Sequence, residues 1–196
     1  MNEVNVGVAL ILLGLIGGNA LLALLHVLDR QLLPRHDPLS AYGISTYRRL
    51  YAVENATFVA AGCGAALALH TQHPHALWLP VLCLLYAAGV AGIIVFPMGT
   101  KGAPRTLSGS LHNVMAGLIF ASAAVASFIL PRNLGPHHGT LAAAILHGTS
   151  VYLCTTIGVM LIAMSRHSTS FGVVERVAAA GLSLWLIAVI VCVSSY

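Results

Sequence analysis

Short polar clusters interrupt an otherwise apolar chain, and they hold the residue types that carry protons or recognise charge. The run Tyr51-Ala52-Val53-Glu54-Asn55-Ala56-Thr57 sets a carboxylate and an amide at the start of a long apolar stretch. A carboxylate at membrane depth costs about 2.5 kcal/mol or more at the centre of a span, so it must face a cation, a proton or a wet cavity. Arg105, His112-Asn113 and Glu175-Arg176 enter from the same side at comparable depth, and Asp37 and Ser40 stand in the polar loop before them. Asp37, Ser40, Glu54, Arg105, His112, Asn113, Glu175 and Arg176 therefore form a candidate polar pocket. Its facing carboxylates, cations and imidazole could hold a phosphate head group or a proton. The plainer reading is a structural ion pair between Glu54 and Arg176 or Arg105. No residue is assigned as catalytic, because no GxSxG, HExxH, Walker-type or Rossmann-type motif occurs.

The histidines pose two further questions. His70, His73 and His75 cluster in one loop, and His137 and His138 in another, and imidazole clusters suit Zn, Cu or Ni. Their spacing matches no closed metal motif, and no Cys or carboxylate accompanies them, so they read as titrating loop histidines. His26 and His112 lie near one membrane surface, and His70 and His147 near the other. Two levels of two imidazoles is what a protein holding haem b at two sites would need, with facing helices each supplying a ligand. Here each helix supplies one histidine, whereas such proteins usually pair ligands on one helix. No cofactor is expected; haem b and a transition metal are the alternatives these histidines would serve.

The elements that must position these residues follow from composition. With 58% hydrophobic and 7% charged residues, 196 residues cannot cover a water-facing surface but suit lipid. Crossing a hydrocarbon core takes roughly 20 helical residues. Six runs qualify, at about 5–28, 50–70, 77–96, 111–130, 141–164 and 173–193. The chain thus reads as all-α: a polytopic membrane protein, a bundle of six transmembrane helices in a single membrane domain, 1–196. Its basic residues divide unevenly, with Arg30, Arg35, Arg48, Arg49, Lys101, Arg105, Arg166 and Arg176 on one side and only Arg132 on the other. The positive-inside rule puts the loops at 29–49, 97–110 and 165–172 in the cytoplasm and both termini on the exported side of a prokaryotic inner membrane. Glu3 precedes the first run and the basic residues follow it, the reverse of a signal peptide.

Within the first run Gly7, Gly14 and Gly18 share a stripe that lets another backbone approach, either within the chain or as a face for other membrane subunits or a second copy. Asn19 in the same run needs an internal partner. The loop at 29–49 is broken by Pro34, Pro38 and Gly43, and serves either as a lid over a polar cavity or as a basic anchor at lipid head groups. Ser108 and Ser110 are suitable caps for the fourth helix, whose amino-terminal end favours an anion. Cys63, Cys83, Cys154 and Cys192 all fall within spans without CxxC spacing and read as packing residues. Nothing suggests nucleic-acid binding, and the halves show no internal repeat of the kind transporters often carry.

Several of these motifs together resemble a known family. Arg35-His36-Asp37-Pro38-Leu39-Ser40, Phe96-Pro97, Leu111-His112 and Gly172-Val173-Val174-Glu175-Arg176 ahead of Trp185 are similar to the domain of unknown function 998 family of six-span bacterial and archaeal membrane proteins. The resemblance implies that Asp37, Ser40, Pro97, His112, Glu175 and Arg176 are positions of the family pattern. The family usually has an acid shortly after its Phe-Pro, where this chain reads Met98-Gly99. The expected function is a non-catalytic accessory or structural subunit packing against membrane partners or lipid. The alternative is a small membrane enzyme or transporter with a cytoplasm-facing polar pocket for a lipid head group or proton.

Overall fold

The computed structural model describes residues 2–100, 102–133, 140–166 and 168–194. Among them there is no strand, and six helices are long and apolar enough to cross a membrane. They are α1 Glu3–Leu28, α2 Arg48–Gln72, α3 Trp78–Val95, α4 Leu107–Asn133, α5 Thr140–Ser165 and α6 Phe171–Ser194. Consecutive helices pack side by side, and α6 closes the bundle against α2, with smaller contacts to α1 and α4. Because successive spans run in opposite directions, the connections after α1, α3 and α5 share one end of the bundle, the basic end.

Helices are the form an apolar chain takes in lipid, because each backbone N–H and C=O is satisfied within its own segment. The outward faces match that solvent. Ile16 on α1, Val95 on α3 and Val151 on α5 are each about two-thirds exposed, which in water would be a broad apolar patch. Inward, Trp185 of α6 is fully buried and meets Tyr86 of α3 edge-on, ring centroids 5.1 Å apart. Such aromatic pairs add about 0.5–1.5 kcal/mol beyond area burial.

Two departures from a plain six-helix reading shape the site. The first span holds a π-helical turn at Leu13–Gly18, immediately before Asn19. Asn19 Nδ2 donates to the Leu15 carbonyl at 2.7 Å and to Ser183 Oγ of α6 at 3.3 Å, which supplies the internal partner this residue needs. The second departure is at the start of α4. Thr106, not Ser108 or Ser110, is its cap: Thr106 Oγ1 accepts the Gly109 N–H at 3.1 Å. Ser108 and Ser110 instead donate to the carbonyls of Pro97 and Thr106, because the helix begins a turn earlier than its apolar run.

The glycine stripe of α1 is a seam inside the chain. A Cβ on Gly7 would lie 2.6 Å from the Gly64 carbonyl oxygen, and one on Gly14 2.5 Å from the Ala61 Cβ. One on Gly18 would lie 2.6 Å from the Phe58 ring. The face considered for a second copy or a partner subunit is therefore occupied by α2, whose Ala61, Gly64 and Ala68 are equally small.

Candidate functional site

The first loop builds the roof of the site. A 3-10 turn at Leu39–Ile44 follows Pro38, and Tyr42 tucks under it, fully buried against His26 with ring centroids 5.4 Å apart. Tyr42, Leu25 and Tyr51 form a small apolar cluster at the basic end, separate from the main core. Gly172, at the start of α6, lets the loop backbone cross, since a Cβ there would stand 2.6 Å from the carbonyl oxygens of both Pro34 and Asp37. Arg176 lies one turn further in. Its Nη1 donates to those two carbonyls at 2.8 Å each and to Gly172 at 2.9 Å. Its Nε donates to His26 Nε2 at 2.9 Å. Glu175 Oε2 accepts the Leu39 N–H at 2.6 Å, and His36 reaches the Thr169 carbonyl.

Beneath this roof lies a cavity of about 190 Å³. Five helices line it, each with one face at helical i, i+3, i+4, i+7 spacing. From α2 come Tyr51, Glu54, Asn55 and Phe58; from α4 His112, Ala116, Ile119 and Phe120. The α6 face is Glu175, Arg176, Ala179, Ala180 and Ser183, while α1 adds Asn19 and Leu22, and α3 adds Tyr86, Val90 and Ile93. Leu39 and Ser40 complete the roof. At 1.5 Å per residue, Glu175, His112 and Glu54 sit about 6–9 Å along their helices from the basic end.

Glu54 is 5% exposed, and its Oε2 accepts from Asn55 Nδ2 at 2.5 Å; the same amide donates to the Tyr51 carbonyl at 2.9 Å. His112, equally buried, donates Nδ1–H to the Phe96 carbonyl at 2.9 Å. Among the described residues, Arg176 Nη2 and the Tyr42 hydroxyl are buried without a hydrogen-bond partner.

The expected pocket is thus assembled in part and corrected in part. Ser40, Glu54, His112, Glu175 and Arg176 share the cavity. Arg105 and Asn113 do not: both are exposed and line a separate shallow depression with Met98, Gly99 and Thr106. The loop before α4 lies on the outside of the bundle, and Asn113 is one helical step (about 100°) round from His112. Asp37 lines neither; its carboxylate Oδ2 accepts the Leu33 N–H at 2.8 Å, and only its backbone carbonyl meets Arg176. The partner of Glu54 is an amide, not the expected arginine, because loop carbonyls hold Arg176 at the roof.

The histidines take the following places. Both ring nitrogens of His26 are engaged, Nδ1–H with the Leu22 carbonyl at 2.7 Å and Nε2 with Arg176 at 2.9 Å. His70 and His147 are exposed and turned away from the bundle interior, as is His75, while His73 Nε2 lies 3.9 Å from Cys192 Sγ. His137 and His138 lie outside the described residues. Among the described residues no group of three His, Cys, Asp or Glu could hold a metal ion.

Tyr86, Phe58, Phe120 and Ser183 are site residues that motif reading passes over. For Ser183 the signal is spacing: Arg176, Ala179, Ala180 and Ser183 fall at i, i+3, i+4 and i+7, a stripe of small and polar residues in an apolar helix.

Fold and site together define a multi-pass α-helical membrane protein with a mostly apolar cavity among its spans that carries a few polar side chains. The chain matches the family described as Protein of unknown function (DUF998) over residues 6–192, nearly its whole length, and it belongs to that family. No curated protein and no solved structure matches it.

Proposed function

We propose that this is a membrane protein that binds a small solute or a proton in the cavity under the first loop, in the manner of a transporter or a solute-binding subunit. The observation that carries this reading is Glu54, a buried carboxylate on a cavity wall whose side-chain partner is a neutral amide. A purely structural acid at that depth is expected to be neutralised by a fixed cation. The accessory-subunit reading has less support, because its strongest feature, the glycine stripe, is filled by α2.

The test is stability without ligand. Glu54→Gln keeps the shape and the amide contact while removing the charge, so its stability in detergent is expected to equal that of the parent or exceed it by up to about 1 kcal/mol, read as an unchanged or raised melting temperature. Arg105→Ala should not couple to it in a double-mutant cycle, since the two side chains line different depressions. A loss of 2 kcal/mol or more on Glu54→Gln would make the carboxylate structural and remove the basis for the proposal.

The proposal places the basic end, and with it the roof, in the cytoplasm of a prokaryote, with both termini exported and lipid around the six spans. Eight of the nine Lys and Arg residues support that orientation. A reporter active only outside the cytoplasm is expected to work after Tyr196 and to fail within 100–104; the reverse pattern would invert the assignment.

A further inference from the structure

Resting on the reading that the cavity binds a solute, we propose that its ligand is an ammonium group on a small apolar body, which enters sideways from the bilayer between α1 and α6. Three independent features point to it.

The first is the charge on the wall. Glu54 and Glu175 stand against one guanidinium, Arg176, so with the acids ionised one negative charge is left for a ligand. Arg176 is tied to the roof carbonyls through Nη1 and to His26 through Nε, and Glu175 accepts the Leu39 N–H, whereas Glu54 accepts from a neutral side-chain amide, which makes it the counter-ion. The second feature is the remaining wall. Tyr51, Phe58, Tyr86 and Phe120 present aromatic rings around the same space, and ring faces attract cations by roughly 2 kcal/mol or more once water is excluded. A volume of about 190 Å³ is below the roughly 300–1,000 Å³ of pockets for drug-sized molecules, which selects a body of about one ring.

The third feature is the opening. Of the lining residues only Asn19 of α1 and Ala180 of α6 are exposed. Each lies nine residues from the basic end of its helix, about 14 Å at 1.5 Å per residue, well within a hydrocarbon core of about 30 Å. The mouth therefore faces lipid tails rather than water, and the roof closes the nearer aqueous route. The Asn19–Ser183 hydrogen bond, long at 3.3 Å, spans this mouth. A ligand arriving there must first dissolve in the bilayer, as an amine with an apolar body does in its neutral form; the proton it needs comes from the Glu54 carboxyl, so the ammonium and the carboxylate form together in the cavity.

The full chain in phosphatidylglycerol nanodiscs should be titrated with 2-phenylethylamine, with propylbenzene as its neutral counterpart and with 3-phenylpropanoate as its anionic one. Tyrosine and tryptophan fluorescence reports binding, since Trp185 packs on Tyr86 of the wall. The amine is expected to bind saturably and at least tenfold more tightly than either counterpart. Glu54→Gln should weaken it at least tenfold and Ala180→Trp, which plugs the mouth, should abolish it, whereas Glu3→Gln at the far end should leave it unchanged. Equal affinity for amine and propylbenzene, preference for the propanoate, or indifference to Glu54→Gln overturns the ammonium assignment. If the binding that remains is still lost in Ala180→Trp, the solute cavity itself stands. Saturable binding by none of the three to folded protein overturns both. In nanodiscs containing phosphatidylethanolamine the affinity for the amine is expected to be unchanged; a weakened affinity would make the lipid head group the occupant and overturn the small-body assignment.

Discussion

Arg176→Ala is expected to lower stability by about 3 kcal/mol, or about 6–12 °C in melting temperature for a chain of this size, and to loosen the first loop before the bundle melts. The side chain ties the carbonyls of Pro34 and Asp37 to the amino-terminal end of α6 and also holds His26 of α1. Hydrogen bonds to a charged donor each contribute about 1.5–3 kcal/mol, and truncation also takes the donor from His26 Nε2 and from the loop carbonyls. Arg176→Lys should recover little, because one ammonium cannot reproduce the planar fork that reaches His26 through Nε and the loop through Nη1. Thermal unfolding in detergent, with limited proteolysis of the segment 30–47, checks both parts. An unchanged melting temperature with a protected loop would mean that Tyr42 and the apolar cluster hold the roof alone.

Gly64→Val is expected to cost about 3 kcal/mol or more and to reduce the yield of folded protein sharply. A Cβ at Gly64 would lie 2.5 Å from the Gly7 carbonyl oxygen and 2.6 Å from the Leu10 Cβ, and Gly7 meets the Gly64 carbonyl reciprocally. Overpacking usually costs 1–3 kcal/mol when side chains can shift, but here the obstacle is backbone of the facing helix, so α1 and α2 would have to separate. Gly117→Ala is the control: nothing lies within 4 Å of its added Cβ, and helix propensity alone predicts a gain of up to about 1 kcal/mol. Melting temperatures of the two variants in one detergent decide the matter. Equal values would show that the α1–α2 seam adapts more freely than its backbone contacts suggest.

The six spans were legible in the residues themselves. Whether a segment can cross lipid depends on its own length and polarity, and a chain in lipid must be helical to satisfy its backbone, so no knowledge of neighbours is needed. The same holds for which loops share an end of the bundle, since successive spans alternate in direction. Co-localisation of Glu54, His112, Glu175 and Arg176 was likewise legible, because depth along a helix follows from residue number. Depth does not say which way a side chain turns, and that is where motif reading and structure part. Arg105 and Arg176 were equivalent as partners for Glu54 by depth, yet one lies on the outside of the bundle and the other is drawn to the roof by Pro34 and Asp37. Gly7, Gly14 and Gly18 announced a close approach without naming the helix that makes it, since Gly64 and Ala61 lie some fifty residues away. The π turn before Asn19, the mouth at Ala180 and the aromatic wall were decided by tertiary structure alone. Each depends on the rotation of one helix against another, and that rotation is set by the fit of side chains across the interface, a property of pairs of segments that neither segment carries by itself.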